Sequence, residues 1–172
     1  DGIRDVAVTG VQTCALPICV KTINSPKNTI LNSVTNSTER YTDRHHLAEG
    51  AMKVIYECKD TVTGRKVAMA FPKFYEEKNA IEQFLREARV LTALDHPNII
   101  PVYDIGVDAD TKPYFTMKLI HGKSLEELLK KYSKDQNNDI PARLRVFTRI
   151  CEAIAFAHSK GIVHLDLKPA NI

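Results

Sequence analysis

The stretch His164-Leu165-Asp166-Leu167-Lys168-Pro169-Ala170-Asn171 decides how the rest of the chain is read. It gathers an imidazole, a carboxylate, an ammonium and an amide into one short polar run. The residues before it suggest how such a run is held. Residues 141–160 carry Leu144, Phe147, Cys151, Ile154 and Ala155 on one side at helical spacing, with Pro141 suited to the first turn. Lys160 puts a cation in the last turn, and Gly161 provides the cap that ends the helix. His158 lies on the apolar stripe and is expected as a packed core histidine. The apolar pair Ile162-Val163 then leads into the polar run.

Farther upstream, Ser124-Leu125-Glu126-Glu127 has the spacing of a capping box, so a short helix is expected from there. The polar residues 133–139 follow as a loop. Residues 102–107 and 114–120 read as strands around a polar turn at 108–112. Residues 79–94 place Ile81, Phe84, Leu85, Ala88 and Leu91 at helical spacing. At 100° per residue Glu87 falls on the edge of that stripe, while Arg86 and Arg89 point to solvent. Residues 53–58 and 66–71 are extended runs joined by a turn at 60–64.

Size and composition exclude several classes. With 172 residues the chain has room for one domain with a real core, and two full domains are not expected. The formal net charge of +3 is small and the basic residues are scattered, so no nucleic-acid or membrane patch is read. Cys14, Cys19, Cys58 and Cys151 lack the paired C-x-x-C spacing of a zinc or redox site. No apolar run approaches the roughly 20 residues of a membrane-spanning helix.

The order of these segments resembles the protein kinases. His164 to Asn171 is similar to their catalytic loop, H-R-D-L-x-x-x-N. His96-Pro97-Asn98-Ile99-Ile100 matches the H-P-N-I turn after helix C, and Arg86-Glu87-Ala88 looks like the helix-C glutamate. Tyr114 to Ile120 resembles strand five and the hinge. The resemblance implies an α+β, two-lobe fold: a five-stranded antiparallel N-lobe sheet with helix C, and an incomplete helical C-lobe. It implies ATP and Mg2+ as cofactors. Asp166 would accept the proton of the substrate hydroxyl, Lys168 would balance charge on the moving phosphoryl group, and Asn171 would hold magnesium. Around the nucleotide it implies Leu47, Gly50, Ile55 and Ala68, with Met117 as gatekeeper and the backbone of Lys118 and Ile120 at the adenine.

Three departures qualify that likeness. Of the G-x-G-x-x-G loop only the middle glycine, Gly50, is present; Ala48 and Lys53 stand at the other two positions. The strand-three lysine of V-A-I-K is replaced in Val67-Ala68-Met69-Ala70 by Ala70. Leu165 replaces the arginine of H-R-D, which puts control by activation-loop phosphorylation through that contact in doubt. The first two departures compensate if Lys53, which shares a face with Ile55, reaches the space left by Ala70. That arrangement resembles the with-no-lysine kinases, with Glu87 as the partner of Lys53; the alternative is a solvated surface lysine. Lys66 has the facing of Ala70 but lies roughly 13 Å along the strand, and Lys73 has the wrong parity.

Residues 8–18 look like the in-frame translation of a sequencing-library adapter, so residues 1–20 are set aside as artefactual. Residues 21–39, rich in Asn, Ser and Thr, read as a flexible linker, and the Asn36-Ser37-Thr38 glycosylation triplet as chance. Residues 40–172 are the expected kinase domain, incomplete after the catalytic loop, inactive without the D-F-G and A-P-E segments, and not expected to fold stably alone because the helix at 141–160 leaves its apolar stripe uncovered. The lysine between the loop's carboxylate and amide, with the H-P-N-I turn, favours a bacterial-type Ser/Thr protein kinase acting on a protein substrate. A pseudokinase that binds nucleotide or scaffolds partners is the alternative. Nucleic acid is not an expected partner, membrane attachment is not encoded in these residues, and the kinase domain is expected to be cytoplasmic, with a membrane anchor on the full-length protein left open.

Overall fold

The computed structural model describes residues 40–132 and 140–172. The expected adapter-derived segment at 1–20, the linker at 21–39, Cys14, Cys19, the Asn36 triplet and the loop at 133–139 lie outside the described residues. Among the described residues five strands form one antiparallel sheet: β1 (Tyr41–Glu49), β2 (Lys53–Asp60), β3 (Lys66–Pro72), β4 (Val102–Val107) and β5 (Pro113–Lys118). Their order in the sheet is β1-β2-β3-β5-β4. Helix α1 (Lys78–Thr92) separates β3 from β4 in sequence, and α2 (Leu125–Tyr132) and α3 (Ile140–Ser159) follow the sheet.

Both distal hairpins are built around an aspartate. Asp60 accepts bonds from the N–H of Val62 (3.0 Å) and the hydroxyl of Thr63 (2.8 Å), and Gly64 takes the left-handed φ of 72° that completes the turn. Asp108 Oδ1 accepts bonds from the N–H of Asp110 (3.1 Å) and of Lys112 (3.0 Å). The expected loop at 47–53 is shorter in the structure. β1 continues through a bulge at Leu47 because Ala48 and Glu49 pair with Ile55 and Val54 of β2, leaving only residues 50–52 as the connection.

Alternation along the strands divides the side chains between two cores. Ile55, Ala68, Ala70, Phe115 and Met117 face Phe84 and Ala88 of α1. Tyr41, Cys58, Val67, Met69, Phe71 and Tyr114 pack on the opposite face. Burial there pushes the Tyr41 phenol up to about 12 and the Cys58 thiol up to about 11. The second core is enclosed by an ionic closure between the edge strands. Arg40 binds both oxygens of Asp60 (3.1 and 3.0 Å) and donates its remaining nitrogen to Asp104 (2.9 Å). The Tyr41 hydroxyl lies 3.3 Å from the same Asp104 carboxylate, and Arg44 meets Asp108 at 3.4 Å. In a flat sheet β1 and β4 would stand about 19 Å apart, at roughly 4.8 Å per strand spacing. The sheet must therefore curl to bring Arg40 to Asp104.

The helices follow the expected signals with shifts of a residue or two at their ends. On α1, Phe84, Glu87 and Ala88 are buried and Arg86 and Arg89 are exposed. The capping box at α2 is made: Ser124 Oγ accepts from the Glu127 N–H at 3.0 Å, and Glu127 accepts from the Ser124 N–H at 2.9 Å. Helix α3 ends in a Schellman pattern, Ile162 N–H to the Ala157 carbonyl (3.0 Å) and Gly161 N–H to His158 (2.9 Å), with Gly161 at φ 72°.

The packing of α3 corrects one expectation. The face that meets the rest of the described chain is the one carrying Ala157, which packs with Leu94 and Ile162. The stripe carrying Leu144 (58% exposed), Phe147 (62%), Cys151 and Ala155 is open, and His158, expected as a packed core residue, is exposed beside it. The open stripe is as expected; it is the packed position of His158 that the structure corrects.

Two variants probe these cores. A Cβ at Gly106 would stand 2.5 Å from the ring of Tyr114, which is fully buried and cannot retreat. Gly106→Ala should lower the stability of the domain by about 1–3 kcal/mol, read as a reduced urea midpoint. Arg40 holds the Asp60 carboxyl well below the usual carboxylate range. Its contribution is thus complete above the unfolded carboxylate value and disappears only as pH falls through the depressed folded one. Asp60→Asn should cost about 2 kcal/mol at neutral pH, and the gap to the parent should close only under strongly acid conditions.

Candidate active site

The first group of site residues is set by strand parity. Lys53 opens β2 opposite Pro72, and Ile55 stands opposite Ala70. Alternation therefore turns Lys53 inward with Ile55, toward the face covered by α1. One helical turn beyond Phe84, Glu87 projects from α1 onto the same face. The Lys53 ammonium donates to Glu87 Oε1 at 2.6 Å. Lys53 is 4% exposed and Glu87 8%, so both charges are largely removed from water. Burial pushes the Glu87 carboxyl up from its ordinary value, with the Lys53 ammonium pulling the other way. Below the ammonium lies the ring of Phe115, 5.5 Å from its centroid. Phe115 was not singled out in the sequence, although its parity with Met117 on β5 was the available signal.

The other two lysines weighed for the same place are engaged elsewhere. Lys66 Nζ lies 2.6 Å from Glu57 Oε1, and Lys73 Nζ lies 2.5 Å from Glu49 Oε1. Ala70 is fully buried in the cluster with Phe84 and Ala88.

The apolar residues expected around a nucleotide base gather beside this pair. Ile55, Ala68 and Met117 belong to one cluster, with Ala48 and Leu119 packed against it. Leu47 is exposed on β1, and the Gly50 N–H donates to the Lys53 carbonyl at 2.9 Å. β5 ends at Lys118, whose N–H donates to the Pro101 carbonyl at 3.1 Å. Of the Lys118 peptide groups it is therefore the carbonyl that could serve a base. Ile120 follows in the irregular segment beyond the strand.

The second group sits in the loop after α3. The Asp166 N–H donates to His164 Nδ1 at 3.1 Å, which turns the imidazole into the loop. A single 3-10 turn, Pro169–Asn171, brings Asn171 back so that its amide nitrogen donates to the Asp166 carbonyl (2.6 Å) and carboxylate (3.1 Å). Lys168 Nζ lies 2.7 Å from Asp166 Oδ2. Asp166, Lys168 and Asn171 thus meet around one carboxylate. The Lys168 bond, then the Asn171 bond, hold the Asp166 carboxyl below its ordinary value. The loop is tied to α2 by the Leu125 N–H, which donates to the Ile172 carbonyl at 2.6 Å.

The turn between α1 and β4 anchors the sheet to α3. The Asn98 N–H donates to His96 Nδ1 at 3.1 Å, and the Asn98 amide donates to the Arg149 carbonyl at 3.3 Å. The His96 ring lies 5.2 Å from that of Phe156.

Chemically, the first group offers a fixed buried cation beside an apolar cluster, and the second an ionised carboxylate flanked by a cation and an amide. With its nitrogen turned to Asp166, Asn171 has Oδ1 as the side-chain atom suited to a cation. Among the described residues no group of three or more His, Cys, Asp and Glu forms a metal cluster. A magnesium ion held here would draw its remaining ligands from phosphate oxygens and water, as this ion commonly does. The carboxylate should respond to its cation: in Lys168→Met, the Asp166 carboxyl should titrate at higher pH than in the parent, followed by carboxyl-carbon NMR. An unchanged titration would show that Lys168 does not hold it.

A protein kinase domain model matches residues 41–172. The chain is 36% identical over 137 residues to serine/threonine-protein kinase PknD of Protochlamydia amoebophila, covering 73% of this chain and 14% of the relative. It is 38% identical over 144 residues to PknD of Chlamydia pneumoniae, covering 78% and 15%. With a probable serine/threonine-protein kinase of Clostridium acetobutylicum it shares 35% over 137 residues, covering 78% and 20%. The chain thus spans between about a seventh and a fifth of the length of these relatives. With its five-stranded sheet, inward helix glutamate and carboxylate loop in the matching order, the chain belongs to the protein kinase domain family.

Proposed function

We propose that this domain transfers the γ-phosphoryl group of ATP to a serine or threonine hydroxyl of a protein substrate, with Lys53 in the place of the lysine absent at Ala70. The observation that carries the reading is the buried 2.6 Å pair between Lys53 and Glu87. A kinase domain that had lost nucleotide chemistry would have no reason to keep a cation sealed against the helix carboxylate from the other strand, because burying two charges is costly. The names of the relatives, all serine/threonine-protein kinases, support the acceptor class.

Phosphoryl transfer asks the protein for positioning and charge neutralisation. Glu87 fixes the Lys53 ammonium, which is thereby aimed at the phosphates. Ile55, Ala68 and Met117 with Leu47 supply the apolar surroundings of the base, and the peptide groups of Lys118 and Ile120 its polar contacts. Asp166 orients the acceptor hydroxyl and takes its proton. Lys168 balances charge on the moving phosphoryl group. Asn171 offers an amide oxygen to magnesium, which when bound neutralises charge on the triphosphate.

The test is transfer of labelled γ-phosphate to serine- and threonine-containing peptides by the full-length protein that carries this domain. Asp166→Asn should lower the rate by about 10² to 10⁴-fold, the usual worth of a general base. Lys53→Met should cause a comparable loss. Full activity in Lys53→Met would remove that residue from the mechanism, and nucleotide binding without transfer in the parent would mark a pseudokinase.

A further inference from the structure

Lys73 is set aside by parity as a phosphate-binding residue, yet it occupies a position of its own. Its ammonium lies 2.5 Å from Oε1 of Glu49, the last residue of β1. Its backbone N–H donates to the Met52 carbonyl at 2.9 Å, one rung past the Lys53–Pro72 pair. Glu49 directly precedes the short turn that joins β1 to β2, and Met52 is the last residue of that turn. One residue just beyond β3 therefore grips both sides of that turn. The turn is closed from within by the Gly50 N–H, which donates to the Lys53 carbonyl at 2.9 Å. Lys53 is in turn the residue whose ammonium reaches Glu87.

We propose that Lys73 and Glu49 are positioning residues of the nucleotide site: together they fix the turn at 50–52, and with it the backbone from which Lys53 reaches inward. The inference rests on the reading of the cleft as an ATP site. Its physical basis is that loop and cation are here one piece of chain. Where a phosphate-binding lysine stands on a different strand from the loop, the loop can shift without moving the ammonium. With Lys53 directly following the turn, any displacement of residues 50–52 is passed to the root of its side chain.

The clamp acts from outside the cleft. Glu49 is half-exposed, and His46 approaches its other side, with Nε2 at 3.8 Å from Oε2. The Lys73 hydrogen bond holds the Glu49 carboxyl below its ordinary value, so the carboxylate is charged at neutral pH. As a partly exposed ion pair it adds little to global stability. Its loss should therefore loosen the turn without unfolding the domain.

The experiment uses the full-length protein and two probes, Mg·ATP and adenosine, titrated calorimetrically into the parent and into Lys73→Met, Glu49→Gln, Lys73→Arg and the double exchange Glu49→Lys with Lys73→Glu. Adenosine shares the base but has no phosphates for the turn and Lys53 to meet. Each of the two charge-removing variants should weaken Mg·ATP about three- to fivefold, the equivalent of a partly exposed ion pair, with adenosine unchanged. Lys73→Arg and the double exchange should recover most of the loss. Mg·ATP affinity equal to the parent in both charge-removing variants would overturn the proposal, and so would an equal loss for adenosine. A parent that binds neither compound would overturn the ATP reading itself, and the positioning role would fall with it.

Discussion

The ion pair between Lys53 and Glu87 constrains the rest of this structure. Two charges this deeply buried are tolerated only when each is fully engaged, because the desolvation of an unpaired ion in such a place costs several kcal/mol. The pair therefore demands that three elements be in register at once. β2 must present Lys53 inward, α1 must turn Glu87 onto the sheet, and β3 must be small enough at Ala70 to leave room between them. Phe115 below the ammonium supplies a polarisable floor. The pair also binds the turn at 50–52 and helix α1 into one mechanical unit, because Lys53 belongs to the end of the first and Glu87 to the middle of the second.

The sheet meets this demand by being finished on its other face as well. The second core of aromatic and sulfur-containing side chains is closed by Arg40, which joins the end of β2 at Asp60 to the far edge at Asp104. Curling brings the two edges together at the end of the β1–β2 hairpin away from the turn, where Tyr41 pairs with Asp60. Tyr114 packs against Gly106 so closely that no side chain fits there.

Much of this was legible in the sequence, because it depends on short-range rules. Parity placed Lys53 with Ile55, helical spacing placed Glu87 at the edge of a stripe, and Ser124 with Glu127 announced the start of α2. The unread part depends on which surfaces meet. Arg40 and Asp104 are 64 residues apart, and nothing local to either indicates that the sheet curls enough for them to touch. The apolar stripe of α3 is open as the sequence suggested, but periodicity alone misplaced His158, which lies exposed beside it while the face of Ala157 is covered. Parity turns Lys73 away from the face of Lys53, but it is silent about a side chain that turns back toward the end of another strand, as Lys73 does to Glu49.

The placement of Lys53 also bears on how such a site can be reached by single substitutions. Ala70 packs in the same cluster as Phe84 and Ala88, on the helical turns that flank Glu87. A chain with lysine at both 53 and 70 would direct two ammonium groups at one buried carboxylate, leaving one positive charge uncompensated in a place that excludes water. A chain with alanine at 70 and glycine at 53 would leave the carboxylate alone. The two arrangements of the cation are thus separated by intermediates that are each electrostatically penalised. The pair of residues at 53 and 70 is expected to change together, and a lineage that has crossed to one arrangement tends to stay there.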